Sequence, residues 1–475
     1  MKRPPWLTSL AIILLLCCLL PTPVRATLEL NEVESSVSNQ YPPLLIARIE
    51  RDIASGKLLA AWGKFDPKLS AFASFGIEGF YDGNLFGVKV EGRDPNGRTR
   101  FYSGYRYSEG AFPDYEKGRT SAGGQFVLGV EVPLMRDGEI DSERLQRQIA
   151  QLDLQGVEPL IAFQRIELIA KARKAYVNWV AAGFELHYNQ TLLDLALTRN
   201  NFLDRMIEEG QMAEVVALDN ERIIVKRRLS LSKALEKVRA SAIELSLFYR
   251  DAKGNSIIPD PSQLPEDFPD VSLYLGSQYT DASLVREAYV RRPELRANSI
   301  EMRQNFIALR GAENMFKPRL DLRIESAVNA GNERTKDRGP NDLRAGIEFS
   351  MPLWRREAKG KILAINAKTR QLQAKRQFLM DKLKASVLRS HNDHFRAKEQ
   401  LGLASRSVDL SEQIRLAEDK RFRSGAGDLL DLQIREQQFF EAELAEVDAH
   451  AMLLKSWIEI EAALGKPYAR PVVVK

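Results

Sequence analysis

Cysteine is almost absent: 475 residues hold two, Cys17 and Cys18, side by side near the start. That excludes a disulfide framework and, past those positions, any thiol nucleophile or thiolate metal site. Long apolar runs are equally scarce. After the first 20 residues no stretch of 18 apolar residues exists, so nothing further along can cross a membrane as a helix. A one-signed charge excess is missing too. The formal net charge of +5 gives no case for nucleic acid as a partner. There is no glycine-rich phosphate loop after a strand, no zincin helix, and no Ser/His spacing that assembles a triad. No catalytic residue and no cofactor is expected, and the chain does not read as an enzyme. His391 and His394 stand at i and i+3 on a helix, but a pair without a third ligand reads as surface, so no metal is expected either.

What is present begins with an export signal. Lys2 and Arg3 precede a 14-residue apolar run, Leu7 to Leu20, and Val24-Arg25-Ala26 suits cleavage after Ala26. Residues 1–26 are therefore expected to be a signal peptide, whose loss takes both cysteines and lowers the charge from +5 to +2. An exported chain without a later apolar helix can cross a membrane only as a β-barrel.

Proline and glycine are scarce where the helices are longest. From Arg356 to Arg423 there is no proline, and only Gly360 and Gly402 interrupt 68 residues, which would span roughly 100 Å as one helix. A turn at Ser424-Gly425-Ala426-Gly427-Asp428 follows, then a return arm with Leu444, Val447, Ala451, Leu454 and Ile458 on a three-four seam. Residues 137–209 make an earlier outgoing arm, with Leu192, Leu195, Phe202 and Met206 as its seam, Arg199 interrupting it, and Pro159 predicting a bend or break. Its turn is Glu209-Gly210-Gln211, and its return arm carries Leu231, Leu235, Val238, Ala242, Leu245 and Tyr249.

Each outgoing arm is preceded by alternating segments. Leu343, Ala345, Ile347, Phe349 and Met351 alternate with polar or small residues, as do Leu320, Leu322 and Ile324. Phe126, Leu128, Val130 and Val132 repeat the pattern, and residues 68–81 also read as strand. Between those last two lies an aromatic insert, 82–124, open between an interfacial aromatic belt and an ordered surface loop. Residues 27–41 read as polar and irregular, and 44–65 as an amphipathic helix with Leu45, Ile49, Ile53, Leu58 and Trp62 on or near one face. The second half leads in with two helices, 281–290 and 293–316, split at Pro293.

The order helix, strand, loop, strand, long helix, glycine turn, return helix thus occurs twice. The expected organisation is a first repeat over 27–250, a proline-rich linker over 251–280, a second repeat over 281–465 and a tail over 466–475. The fold class is α+β: the pattern suggests a multi-chain membrane β-barrel with a long α-helical coiled-coil stalk, which the resemblance given next extends to a helical coiled-coil barrel joined to an outer-membrane β-barrel. Four strands cannot close a barrel in lipid, so copies must combine.

From Tyr41 to about Gly465 the chain resembles the TolC-like outer-membrane efflux protein family. The resemblance rests on the duplicated layout, the strand ends Val132-Pro133-Leu134 and Met351-Pro352-Leu353, the turn with Gly425 and Asp431, and the terminal Ala462-Ala463-Leu464-Gly465. It implies a homotrimer giving four strands per copy to a 12-stranded barrel in the outer membrane of a Gram-negative bacterium. It also implies a periplasmic helical tunnel and work with a periplasmic adaptor and an inner-membrane transporter. The expected function is the export duct of a tripartite efflux system. A type I protein-secretion duct uses the same fold, and a non-conducting coiled-coil adhesin is the rival from another class.

The resemblance also places the candidate sites. Asp428 and Asp431 are the candidate periplasmic gate, since carboxylates repeated around an axis favour cations. Against this, Asp428 fits an N-cap and Asp431 a first helical turn, where the helix dipole welcomes acid. Gly210, Gln211, Gly425, Ala426 and Gly427 are the candidate adaptor-contact turns. The family's second aspartate position holds Ile434 here.

Overall fold

The computed structural model describes residues 27–112, 119–269, 280–331 and 341–466. The expected signal peptide, much of the second half of the linker and nearly all of the tail lie outside them. In chain order the elements are α1 (Leu30–Gln40), α2 (Pro42–Trp62), β1 (Lys68–Ser74), β2 (Asn84–Arg93), β3 (Arg100–Glu109), β4 (Gln125–Pro133), α3 (Ser142–Glu208) and α4 (Glu214–Ser246). Then come α5 (Asp281–Arg291), α6 (Pro293–Asn314), β5 (Arg319–Asn329), β6 (Asn341–Ser350), α7 (Arg356–Arg423) and α8 (Leu429–Leu464).

Two compact units form, and both halves of the sequence feed each of them. One takes the chain up to Leu45, Gln164–Arg291 and the chain from Leu383; the other takes Ile46–Phe163 and Arg292–Lys382.

The second unit holds the sheet, a six-stranded antiparallel meander in the order β1-β2-β3-β4-β5-β6. Two of those strands correct the sequence reading, because the insert 82–124 contains β2 and β3 as a full hairpin. The expected first strand is also shorter, ending at Ser74. Register fixes two unlike faces. Glu91 pairs with Tyr102, Arg100 with Glu131, Glu131 with Arg323, and Glu325 with Arg344 on one face. Val88 pairs with Tyr105, Tyr105 with Phe126, Phe126 with Val328, and Ile324 with Ala345 on the other. The strands of 7 to 11 residues include five of the length that spans a bilayer at a tilt.

Strand gives way to helix through a left-handed residue at each junction, Asp137 (φ 66°) and Arg355 (φ 52°). At the first, the Asp141 carboxylate accepts the Arg144 amide at 2.8 Å and so caps α3, while the Arg144 side chain donates back to the Asp137 carbonyl at 2.7 Å. The helix then runs unbroken through Pro159. Of the expected bend or break, the break does not occur: Leu152 and Val157 are buried before the proline, and that packing offsets its helix penalty, about 3 kcal/mol in an isolated helix.

The first unit has its core where α1 meets α3 and α4. Leu28, Val33 and Val37 pack with Ile169, Trp179, Leu245 and Phe248. Residues 30–40 are therefore helical, not irregular as their polarity suggests. Two valines one turn apart suffice because Ser36 also bonds the Phe248 carbonyl at 3.0 Å. A second core joins Ile166, Ala170 and Val177 of α3 to the α8 seam at Ala451, Leu454 and Ile458.

Two other seams are met in part, with Leu192 on α3 and Val238, Ala242 and Leu245 on α4 buried as expected and other positions moved by one. On α3 the buried row is Leu192, Ala196, Arg199 and Leu203, while Leu195 and Phe202 stay exposed. On α4, Ala234 is buried and Leu235 exposed. Helices with a 3.6-residue period drift across a strict three-four seam, so small residues take the tight positions. On α2 the buried residues include Leu44, Ala47 and Ala54, and the apolar residues Leu45, Ile49, Ile53 and Trp62 are exposed in the single chain.

The proline-rich segment after α4 packs against the helices as far as Phe268. Asp260 caps a short turn of 3-10 helix at Pro261–Gln263, and Phe268 stacks on Phe184 and His450 at 4.8 and 4.5 Å between ring centroids. Leu264 sits over Gly183 so closely that a Cβ there would meet its methyl groups at 2.5 and 2.6 Å.

Candidate functional site

Both hairpin turns are closed by the same backbone device. At the first, the Gln211 amide donates to the Met206 carbonyl (2.8 Å) and the Gly210 amide to Ile207 (2.9 Å), with Gly210 at φ 72°. At the second, Ala426 donates to Arg421 (2.9 Å) and Gly425 to Phe422 (3.0 Å), with Gly425 at φ 74°. These are two copies of one Schellman motif, whose left-handed residue is glycine because a Cβ is costly there. Gly427 is needed for a different reason. A Cβ on it would fall 2.9 Å from the Phe422 nitrogen and 3.0 Å from Glu418 Oε1. The two hairpins meet near these turns, with Phe202 and Phe422 edge to face at 6.4 Å.

Asp428 occupies the N-cap position of α8 with extended backbone, yet its side chain makes no capping hydrogen bond. Asp431 lies in the first turn of that helix, and both side chains belong to exposed residues. Their carboxylates therefore face solvent in the single chain. Beside them is a residue that the sequence reading passed over. Glu418 is buried, its Oε2 accepts from Arg421 at 3.1 Å, and its Oε1 has no partner among the described residues. Nothing in the evenly charged outgoing arm marks it out; only the proximity of Gly427 does.

Farther along, buried polar groups tie α3 to α8 and α4. Arg199 and Glu436 form an ion pair with both side chains buried. Arg227 on α4 faces the same carboxylate. Burial pulls its pKa down, Glu436 pushes it back up, and the neighbouring Arg199 pulls it down again. Asn220, fully buried, donates to the Asn200 side chain at 3.0 Å. Glu443 on α8 is pushed up to about 7, chiefly by burial, with Arg415 opposing and Glu412 and Glu446 adding to the rise.

The two histidines part company. His391 Nδ1 bonds Asp281 at 2.7 Å, whereas His394 is buried, bonding Ser456 at 3.1 Å, and burial lowers its pKa. Among the described residues no cluster of three metal-ligating side chains forms.

The sheet supplies the other functional surface. On its polar face Arg100 donates to Glu131 at 3.1 Å, Arg323 to Glu131 at 3.0 Å, Arg106 to Gln125 at 2.7 Å and Tyr102 to Glu325 at 2.6 Å. The opposite face exposes Leu69, Phe86, Val88, Phe101, Phe126, Leu128, Leu343 and Ile347. A sheet whose charged face is internally bonded and whose apolar face is bare is arranged for lipid outside and water inside. No described helix is long and apolar enough to cross a membrane.

Residues 284–466 match the family described as outer membrane efflux protein. Solved outer-membrane channels superpose on most of the chain. The chain has the TolC-like fold of the outer-membrane efflux channels. The outer-membrane channel OprN aligns with TM-score 0.66 at 16% identity, over 92% of this chain and 90% of that one. The open-state MtrE channel of Neisseria gonorrhoeae aligns with TM-score 0.64 at 15% identity, over 94% and 91%. CmeC of Campylobacter jejuni gives TM-score 0.62 at 16% identity, over 93% and 86%. No curated protein sequence matches. In this chain the glycine turns close the helical hairpins and the sheet carries one apolar and one charged face.

Proposed function

We propose that the chain is the outer-membrane export duct of a tripartite efflux system, passively conducting substrates delivered by an inner-membrane transporter through a periplasmic adaptor. The observation that carries this reading is the two-faced sheet, apolar on one side and lined with bonded charges on the other, in a chain with the efflux-channel fold. Copies combine as a homotrimer, and the turns at Gly210-Gln211 and Gly425-Ala426-Gly427 are the adaptor-contact surfaces. Asp428 and Asp431 belong to the gate at that end. The duct does no chemistry of its own; selectivity for cargo resides in its partners.

Single cysteines at Gln211 and Ala426, in the chain freed of Cys17 and Cys18, test location and orientation together. The expected result is an outer-membrane oligomer in which neither site is labelled by an impermeant maleimide added outside intact cells. Labelling of either from outside, or a dominant soluble monomer, contradicts the proposal. Co-purification of the tagged chain with an adaptor and a pump separates efflux from type I secretion by the identity of the transporter.

A further inference from the structure

The β2–β3 hairpin is a structural part of the membrane sheet, not an ornament beside it. Its strands pair with each other at ten positions, and β3 pairs with β4 at seven. Its turn reaches the start of α3, where Arg93 pairs with Glu143 and Arg147 bonds Asn96 at 3.3 Å. The hairpin therefore spans from the helix end of the sheet to the far end, as β4 and β5 do. Its faces follow the sheet's faces. Phe86, Val88 and Val90 continue the apolar side, and Arg100, Tyr102 and Arg106 continue the charged side. Tyr102 even reaches across β4 to Glu325 on β5, over Gly129, where a side chain would collide with its ring.

The outer strands are unlike the four between them. Every residue of β1 is exposed, on both faces, and all of β6 except Asp342 is exposed as well. Within the sheet each has one edge of backbone donors and acceptors without a strand beside it. In lipid an unsatisfied backbone group has no water to bond, so these edges must be paired. The two edges suit one another. β1 and β6 run in opposite directions, Leu69 and Ala71 lie on the same apolar face as Ala345 and Ile347, and Lys68 and Glu348 lie on the charged face near the helix end.

We propose that each copy inserts all six strands, β1 of one copy pairing with β6 of the next, so that three copies close an eighteen-stranded barrel. The occupant of both open edges is thus a second copy of this chain. The proposal rests on the duct reading above and departs from the twelve strands that the family resemblance implies. Because barrel diameter grows about linearly with strand number, the barrel is about 1.5 times as wide as a twelve-stranded one. A pore of that size is an open aqueous channel, and here its wall carries the alternating charges of the polar face.

The direct test counts strands by cryo-electron microscopy of the unmodified oligomer in detergent or nanodiscs, with eighteen expected. The edge pairing is tested by A71C combined in turn with L343C, A345C or I347C, in the chain freed of Cys17 and Cys18. Oxidation should yield covalent dimers and trimers for the one pair in register. Twelve strands in the oligomer, or intermolecular cross-linking of A345C to L128C on β4 in place of A71C, overturns the proposal and leaves the duct reading intact. A chain that forms no membrane oligomer overturns both.

Discussion

Arg199 on α3 and Glu436 on α8 form an ion pair with both side chains buried, at a position where a hairpin seam would ordinarily hold an apolar residue. Burying the pair cost both ions their water, and neither can now lose its partner cheaply.

Removing one member should therefore cost far more than removing both. Glu436→Ala takes the paired carboxylate from Arg199, leaves Arg227 only the weaker influence of Glu441, and should destabilise by roughly 3–5 kcal/mol. Arg199→Met combined with Glu436→Leu should recover most of the loss. Thermal unfolding of the detergent-purified oligomer reads both. A Glu436→Ala protein as stable as its parent would mean that water reaches the pair.

The carboxyl of Glu443 predicts a pH dependence of known sign. Its folded pKa, about 7, lies above the ordinary carboxyl value of 4.5, so between those values the folded state holds a proton that the unfolded state has released. Stability from this group is complete below about pH 4.5 and falls as pH rises toward 7. Glu443→Gln, which keeps the shape without the charge, should raise the melting temperature at pH 8 and leave it nearly unchanged at pH 4.5. Equal shifts at both pH values would assign the effect to packing.

Ion preference at the turn is the readout for the acidic residues. Conductance of the purified protein in planar bilayers should show weaker cation preference and weaker divalent block for Asp431→Asn, because a ring loses its charge and keeps its volume. Asp428→Asn should do less. The Asp428 side chain makes no capping bond that asparagine could disturb, and asparagine is itself a good N-cap. Unchanged selectivity and block in Asp431→Asn would make that residue part of helix chemistry alone.

Much of the fold was legible because local pattern and tertiary role agree. The α8 seam, the alternation of β4, β5 and β6, and the glycines at 210 and 425 follow from period and backbone freedom. The hairpin was obscured for a physical reason. Phe86, Val88 and Val90 do alternate, but β3 carries aromatics on both faces, Phe101 and Tyr105 outward and Tyr102 on the charged side. That breaks the two-face signal. Helix α1 was illegible because Val33 and Val37 become a core only when Ile169, Trp179 and Phe248 arrive from far along the chain. At the candidate gate the sequence located the turn and the acids, while Glu418 emerged only from its burial beside Gly427.

The hairpin also has a bearing on how such a sheet changes size. One additional strand would have reversed the direction of β4 and delivered α3 to the wrong side of the membrane. Two strands, joined by a turn at the helix end, restore the heading of the chain at Gln125 and leave every later element undisturbed. Growth in antiparallel pairs is thus the smallest step open to this sheet. In the proposed assembly each copy would take that step at once, so pore calibre would change by whole hairpins.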